Sequence, residues 1–276
     1  MKKLITQSVG AFINVTAVVF PKWNADFSFN LLCKVKRVGI SEKGKEFFED
    51  AEQTFLEVDG HSAVLHKWGQ GPKTVLFLHG WLSNSQRWRN FVDHLDLSEY
   101  TVYAVDAPGH GMAKGKYLNL EVYRQSLRQA LELTGPVDTL VCHSLGSLAT
   151  AYAHLEADGL PIKKYVITGA PSGMDAIFVY FEELLGLSNK AIANLEGKIN
   201  SILKLPHGEV SMKHFFKKVQ DPLLVIHERN DRVTPFRAIE SALNGNKVIQ
   251  TYFTEGNDHN LKTPDVIDRV ITFIKN

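Results

Sequence analysis

From Thr54 to the C-terminus the chain alternates strand-like and helix-like runs, and this order restricts the fold more than any other feature. The runs "TFLEVDG" and "SAVLHKWG" predict a hairpin, and "KTVLFLHG" predicts a buried strand ending in glycine. Helical "SQRWRNFVDHL", a strand and loop "YTVYAVDAPGHG", helical "NLEVYRQSLRQALELTG" with its glycine stop, and strand "VDTLVCHS" follow. A helix from Leu145 to Leu155, strands "KKYVITGAP" and "DPLLVIHE", helix "PFRAIESAL", strand "VIQTYFTEG" and helix "PDVIDRVITFIKN" complete the series. Parallel strands need long crossovers, so this alternation predicts an α/β fold: a mostly parallel central sheet with helices on both faces.

Two segments depart from the rhythm. Between Pro171 and Asp221 the sequence is helix-like, with "IFVYFEELLGL" and "NKAIANLEGKINSILKL" and no strand. Loops at the carboxyl ends of parallel strands surround the ligand crevice, so an insertion at about 172–220 predicts a small helical cap over a site. Its Ile177, Phe178, Val179, Phe181, Leu184, Leu185 and Leu187 suit an apolar ligand group, or pin the cap to the core. The other departure is the N-terminus. Strand-like runs begin only at Thr54, which divides the chain into a helical extension (1–50) and an α/β domain (51–276).

The extension opens as Met1-Lys2-Lys3 followed by "LITQSVGAFINVTAVVF", superficially a secretion signal. Thr6, Gln7, Ser8, Asn14 and Thr16 interrupt its apolar run, no small-residue cleavage site precedes Pro21-Lys22-Trp23, and the run is short for a membrane span. At helical spacing Ile5, Val9, Phe12 and Val19 share one face, and Lys3, Gln7, Gly10 and Asn14 the other. Two destinations suit that apolar face. It packs on the α/β domain as an extra helix, or residues 1–20 lie at a membrane surface, aided by the lysines and the basic run Lys34 to Arg37.

Thirty-one Lys and Arg against thirty Asp and Glu leave a formal charge of +1, so no global field favours a nucleic-acid partner, and none is expected. Of the two cysteines, Cys142 lies in an apolar run, which disfavours a disulfide and fits a reducing, cytoplasmic compartment. CxxC, HExxH and calcium-loop patterns are missing and the eleven histidines are scattered, so no metal site and no cofactor is expected.

The chemistry concentrates at strand ends. Strand "TLVC", a tight turn at His143-Ser144-Leu145 and Gly146 opening a helix would project the Ser144 hydroxyl from the sheet edge. Residues two before and two after such a serine must be small; Gly146 meets this, and Cys142 stands where the signature has glycine. A serine hydroxyl needs a base and an orienting acid to act as a nucleophile. His259 follows the last strand and Asp231 the strand ending near Glu228, so all three leave carboxyl strand ends on one rim. Asp258, beside the histidine, and Asp175 compete for the acid role. Gly80 lets the backbone turn inward, so the Trp81 amide can point to the same spot as the Leu145 amide, a pair of donors for a developing oxyanion. Trp88 and the loop Asp106 to Gly111 read as scaffold.

Taken in order, "FLHGW", "SQRW", "DAPGHG", "CHSLGS", "HERNDRVTP" and "GNDHNL" make residues from about Thr54 to Asn276 resemble the α/β-hydrolase fold superfamily, as a serine esterase- or lipase-like member. The resemblance implies Ser144 as nucleophile, Asp231 as acid, His259 as base, Trp81 and Leu145 as oxyanion donors, and 172–220 as cap. It departs from the usual pattern at Cys142, at Glu228 and at Asp258, where glycines are common, and leaves the first 50 residues unaccounted for. The implied activity is hydrolysis of a small-molecule carboxylic ester through an acyl-enzyme. The same residues also fit a thioesterase, a peptidase, a carbon–carbon bond hydrolase, or a binding protein that kept the fold without turnover.

Overall fold

Asp59 and Gly60 both take positive φ, 50° and 73°, as a two-residue hairpin turn requires. They join β1 (Glu52–Val58) to β2 (His61–Trp68) as an antiparallel pair. The computed structural model describes residues 2–243 and 248–276, with side chains from Thr6 onward. Beyond the hairpin run β3 (Lys73–Leu78), β4 (Tyr100–Asp106), β5 (Thr139–His143), β6 (Tyr165–Thr168), β7 (Leu223–Glu228) and β8 (Gln250–Thr254). They form one eight-stranded sheet in the order β1-β2-β4-β3-β5-β6-β7-β8, in which β2 is antiparallel to β1 and β4 and the later pairings are parallel. This is the α/β architecture that the alternation predicts.

Successive residues of β3 point to opposite faces of the sheet. Leu76 and Leu78 enter one apolar core, Val75 and Phe77 the other. With helices covering both faces, the strand reads as a continuous apolar run. Chain order reverses at β3, since β4 lies to one side and β5 to the other, so the loops after β3 and β5 meet at a crevice.

The helices are α1 (Lys2–Val19), α2 (Pro21–Leu32), α3 (Glu42–Glu49), α4 (Arg89–Val92), α5 (Leu120–Thr134), α6 (Leu145–Ala157), α7 (Met174–Leu185), α8 (Asn189–Asn200), α9 (Met212–Lys218), α10 (Phe236–Leu243) and α11 (Pro264–Lys275). The single helix expected over "SQRWRNFVDHL" is instead a 3₁₀ turn at Ser85–Trp88 followed by one turn of α4. Asn84 caps that turn through the Gln86 amide at 3.1 Å, and Trp88 is anchored in the core on Phe77, ring centroids 4.8 Å apart. Between β6 and β7 lie α7, α8 and α9, and each sends side chains into the main core: Met174 and Phe178 from α7, Leu195 and Ile199 from α8, and Met212, Phe215 and Phe216 from α9.

The extension is woven into the body. Cys33 and Val35 exchange backbone hydrogen bonds with Leu118 and Lys116, both 2.9 Å, and Arg37 donates to the carbonyls of Gly111, Ala113 and Gly115. Phe47 stacks on Trp68 at 4.4 Å. Arg37 therefore belongs to a loop anchor and not to a free basic patch.

The face expected to bury α1 is corrected by the structure. Ile5 and Lys3 have side chains outside the described residues. Val9 of the expected apolar face does pack and Gln7 of the polar face is exposed, but Phe12 and Val19 are exposed, while Gly10, Ile13 and Ala17 are buried. A Cβ on Gly10 would lie 1.7 Å from the Leu185 carbonyl oxygen, so the glycine lets α1 touch the end of α7. Asn14 donates to Gly186 O at 2.8 Å and accepts from the Ser188 amide at 2.7 Å, satisfying the turn between α7 and α8. Close helix contact favours small residues and turn amides favour a polar partner, so Gly10 and Asn14 of the nominally polar face pack alongside Val9, Ile13 and Ala17.

Candidate active site

Ser144 sits between β5 and α6 with φ 51° and ψ −119°, a strained conformation for a residue with a side chain. Its neighbours hold it there. A Cβ on Gly146 would fall 2.6 Å from the His79 carbonyl oxygen, and one on Gly80 2.8 Å from the Ser144 Cβ, so both glycines are required by close approach. The Ser144 amide donates to Thr168 O at 2.9 Å, tying the turn to β6.

Cys142, two residues before the serine, is fully buried. Thr150 spends its hydroxyl proton on Gly146 O at 2.9 Å, so the thiol is the donor in its 3.0 Å contact with Thr150 Oγ1. Burial pushes the thiol pKa up to about 12. The cysteine is thus a small, protonated core residue.

His259 follows β8, and Asp231 follows β7. His259 Nδ1 lies 2.7 Å from Asp231 Oδ2, and Nε2 lies 3.0 Å from Ser144 Oγ. An ionised carboxylate only accepts, so Nδ1 carries the proton and Nε2 is free to accept from the serine. Burial raises the Asp231 carboxyl, but hydrogen bonds from His259 and from the Thr234 and Val233 amides outweigh it and hold its pKa below the usual value. The Thr234 hydroxyl donates to Asp231 Oδ2 at 2.9 Å. The two competing carboxylates are engaged elsewhere: Asp258 accepts from the Asn260 amide and side chain, both 2.9 Å, and Asp175 faces His207 at 3.6 Å.

Trp81 and Leu145 line the same cavity as Ser144. Leu145 opens α6, so its amide is one of the four at a helix start without an intrahelical partner. The cavity holds about 400 Å³, within the range of small-molecule sites. Its walls are mostly apolar: Ile177, Phe181 and Leu184 from α7, Ile202 and Leu203 after α8, and Phe29, Leu32 and Cys33 from the extension. Of the cap residues singled out from sequence, Phe178 is instead buried in the main core, Val179 is exposed, and Leu185 and Leu187 pack against α1. Glu121 also reaches the lining, but its carboxylate is held by Arg124 at 2.6 Å and by the Tyr152 hydroxyl at 2.6 Å.

Four supporting residues escaped the sequence reading. Arg87, Thr234 and His143 lie within motifs whose neighbours drew the attention, and Glu228 was noted only as a departure from glycine. Glu228 is fully buried, and its carboxylate accepts from the Thr254 hydroxyl at 2.7 Å and from the amides of Asn230, Asn257 and Gly256 at 3.0, 3.0 and 3.2 Å. One side chain thereby joins the loop carrying Asp231 to the loop carrying His259. Burial raises its carboxyl, yet these donors hold its pKa below the ordinary value.

Comparison with known proteins places the chain among relatives. A family model described as "Alpha/beta hydrolase family" matches residues 75–239. A pimeloyl-[acyl-carrier protein] methyl ester esterase of Vibrio vulnificus is 31% identical over 37% of this chain and 39% of its own length. A karrikin insensitive 2 receptor IA of Petunia hybrida is 22% identical over 72% of this chain and 88% of its own. Matches to five curated relatives cover from 18% to 88% of those proteins' own lengths, and four of the five cover less than half. The solved structure of a Pyrococcus furiosus esterase superposes with a TM-score of 0.63 at 19% identity, covering 88% of this chain and 98% of that one, a likeness of fold.

Proposed function

This chain belongs to the α/β-hydrolase family, and from that premise we propose that it is a serine hydrolase that cleaves a carboxylic ester with an apolar acyl or alcohol group. The observation that carries the reading is the hydrogen-bonded line Ser144–His259–Asp231, with contacts of 3.0 and 2.7 Å.

In this reading Ser144 Oγ attacks the ester carbonyl carbon while His259 Nε2 takes its proton. Asp231 keeps the imidazole in the Nδ1–H tautomer and stabilises the imidazolium. The amides of Trp81 and Leu145 receive the oxyanion, where one such donor is worth about 2.7–4 kcal/mol of transition-state stabilisation. Collapse of the tetrahedral intermediate expels the alcohol, protonated by His259, and leaves Ser144 acylated. Water, deprotonated by His259, then attacks the acyl carbon and restores the serine. Every group in this cycle belongs to the chain, the ester or the attacking water. The apolar walls from α7 and the extension favour a hydrocarbon group on one side of the ester.

A second reading has one observation in its favour: the receptor from Petunia hybrida is matched over 88% of its length. In that case the cavity binds a small apolar ligand without turnover. Labelling with a fluorophosphonate separates the two. The hydrolase reading expects a covalent adduct on Ser144, lost in Ser144→Ala and His259→Ala, and turnover of a chromogenic ester panel graded by acyl length. An unlabelled, inactive native chain that still binds apolar ligands leaves the receptor-like reading.

A further inference from the structure

Packing Gly10, Ile13, Asn14 and Ala17 inward leaves several large apolar side chains of α1 in water. Val18 and Phe20 are 71% and 61% exposed, and Phe12, Val15, Val19 and Trp23 are each about half exposed or more. They occupy the outer side of α1 and the corner where it meets α2. The patch is continuous across both helices: Phe12 and Trp23 meet edge to face at 5.9 Å, and Trp23 stacks on Phe27 at 4.9 Å. Monomeric soluble proteins seldom leave so contiguous an apolar surface without a partner.

Charge identifies the partner. The first 25 residues contain Lys2, Lys3 and Lys22 and no carboxylate. The nearest acidic residue in the chain, Asp26, is paired with Lys198 at 2.6 Å. Lys22 is exposed between Phe20 and Trp23, in the middle of the patch. A second copy meeting this surface about a two-fold axis would set lysine against lysine. An anionic lipid surface instead accepts the cation at the headgroups and the aromatic and aliphatic side chains below them. Among the described residues no helix is long and apolar enough to cross a membrane, which is consistent with a helix lying on a surface.

We propose that the α1–α2 corner docks this protein on an anionic membrane surface, with Phe12, Val15, Val18, Val19, Phe20 and Trp23 entering the interface and Lys22 contacting lipid phosphate. Docking there also positions the cavity. α2 carries Trp23 near its start and Leu31 and Leu32 in the cavity wall at its end, about 12 Å along the helix at 1.5 Å per residue. An apolar ligand leaving the bilayer beside the corner has a short path to the site. This surface does not depend on the hydrolase reading.

The test is co-sedimentation of the full chain with vesicles of phosphatidylcholine and phosphatidylglycerol, compared with phosphatidylcholine alone. The wild type is expected to sediment with the anionic vesicles, less so in high salt. Substituting Val15→Ser, Val18→Ser and Phe20→Ser together should release it with little change in melting temperature, because these three side chains are mostly exposed in the folded chain. Lys22→Glu should lower partitioning by roughly tenfold. Brominated lipid should quench the wild-type tryptophan emission and quench Trp23→Phe far less, since of the other three tryptophans Trp68 and Trp88 are buried and Trp81 lies in the cavity wall beside Ser144. A wild-type chain that ignores anionic vesicles overturns the proposal, as does a triple variant that sediments equally. A dimer in light scattering that the triple variant converts to monomer, with no lipid binding, assigns the patch to a second copy instead.

Discussion

Arg87 donates from Nη1 to His143 Nδ1 at 2.6 Å, beside the serine turn. Its second terminal nitrogen, Nη2, donates to Asn260 O at 2.8 Å. Because Nδ1 accepts, the His143 proton resides on Nε2, which donates to His259 O at 2.8 Å. Burial and then the Arg87 charge hold His143 well below the usual histidine pKa, so it stays neutral. The two side chains thus clamp the backbone on which His259 is mounted.

Arg87→Ala removes both anchors of that loop at once. The buried His143 Nδ1 left unpaired costs about 1–3 kcal/mol, while the exposed Asn260 carbonyl can turn to water, so the melting temperature should fall. In the proposed hydrolase kcat should fall more than KM rises, because the base is displaced while the apolar walls remain. Arg87→Lys supplies one point donor in place of a fork and should recover only part of the loss. Full activity and an unchanged melting curve in Arg87→Ala would remove the clamp from the account.

Asp231→Asn leaves His259 without an acceptor at Nδ1 and favours the wrong tautomer, a change expected to slow ester turnover on the order of 10⁴-fold. Asp258→Asn and Asp175→Asn should leave the rate close to native, since their carboxylates engage Asn260 and His207. Steady-state kinetics on one chromogenic ester decides among the three.

Glu228→Gln places an amide NH₂ among four donors, so at neutral pH the variant should be less stable by about 1–3 kcal/mol. The native carboxyl has its folded pKa below the unfolded value of about 4.3. Its stabilisation is therefore present above about pH 4.3 and lost as pH falls through the lower folded value. Thermal melts between neutral and acid pH should show the native chain losing more stability than Glu228→Gln. Parallel curves would contradict this.

Cys142, buried and protonated, should react slowly with bulky thiol reagents in the folded chain and fast after denaturation. Cys142→Gly removes the thiol contact to Thr150 and leaves a small void, for an expected loss of about 1–3 kcal/mol with activity retained. An inactive but folded Cys142→Gly variant would give the thiol a role beyond packing.

What could be read from the chain alone was whatever local order dictates. Alternating runs require a parallel sheet because crossovers need helices, and the carboxyl ends of such strands share one rim, which puts Ser144, Asp231 and His259 near each other without any distance being known. Contacts between distant segments were a different matter. Three aspartates were plausible partners for His259, and only the geometry of the folded loops engages Asp231 with it. The apolar periodicity of α1 offered its apolar face either to the domain or to a membrane, yet Gly10 and Asn14 of the other face pack with Ile13 and Ala17, because helix approach and turn amides reward small and polar groups that a hydrophobic pattern counts as solvent-facing. For the same reason neither the cavity wall contributed by Phe29 and Leu32 nor the Arg87–His143 clamp was visible in the sequence: each joins residues more than fifty positions apart, and that pairing is decided by tertiary packing.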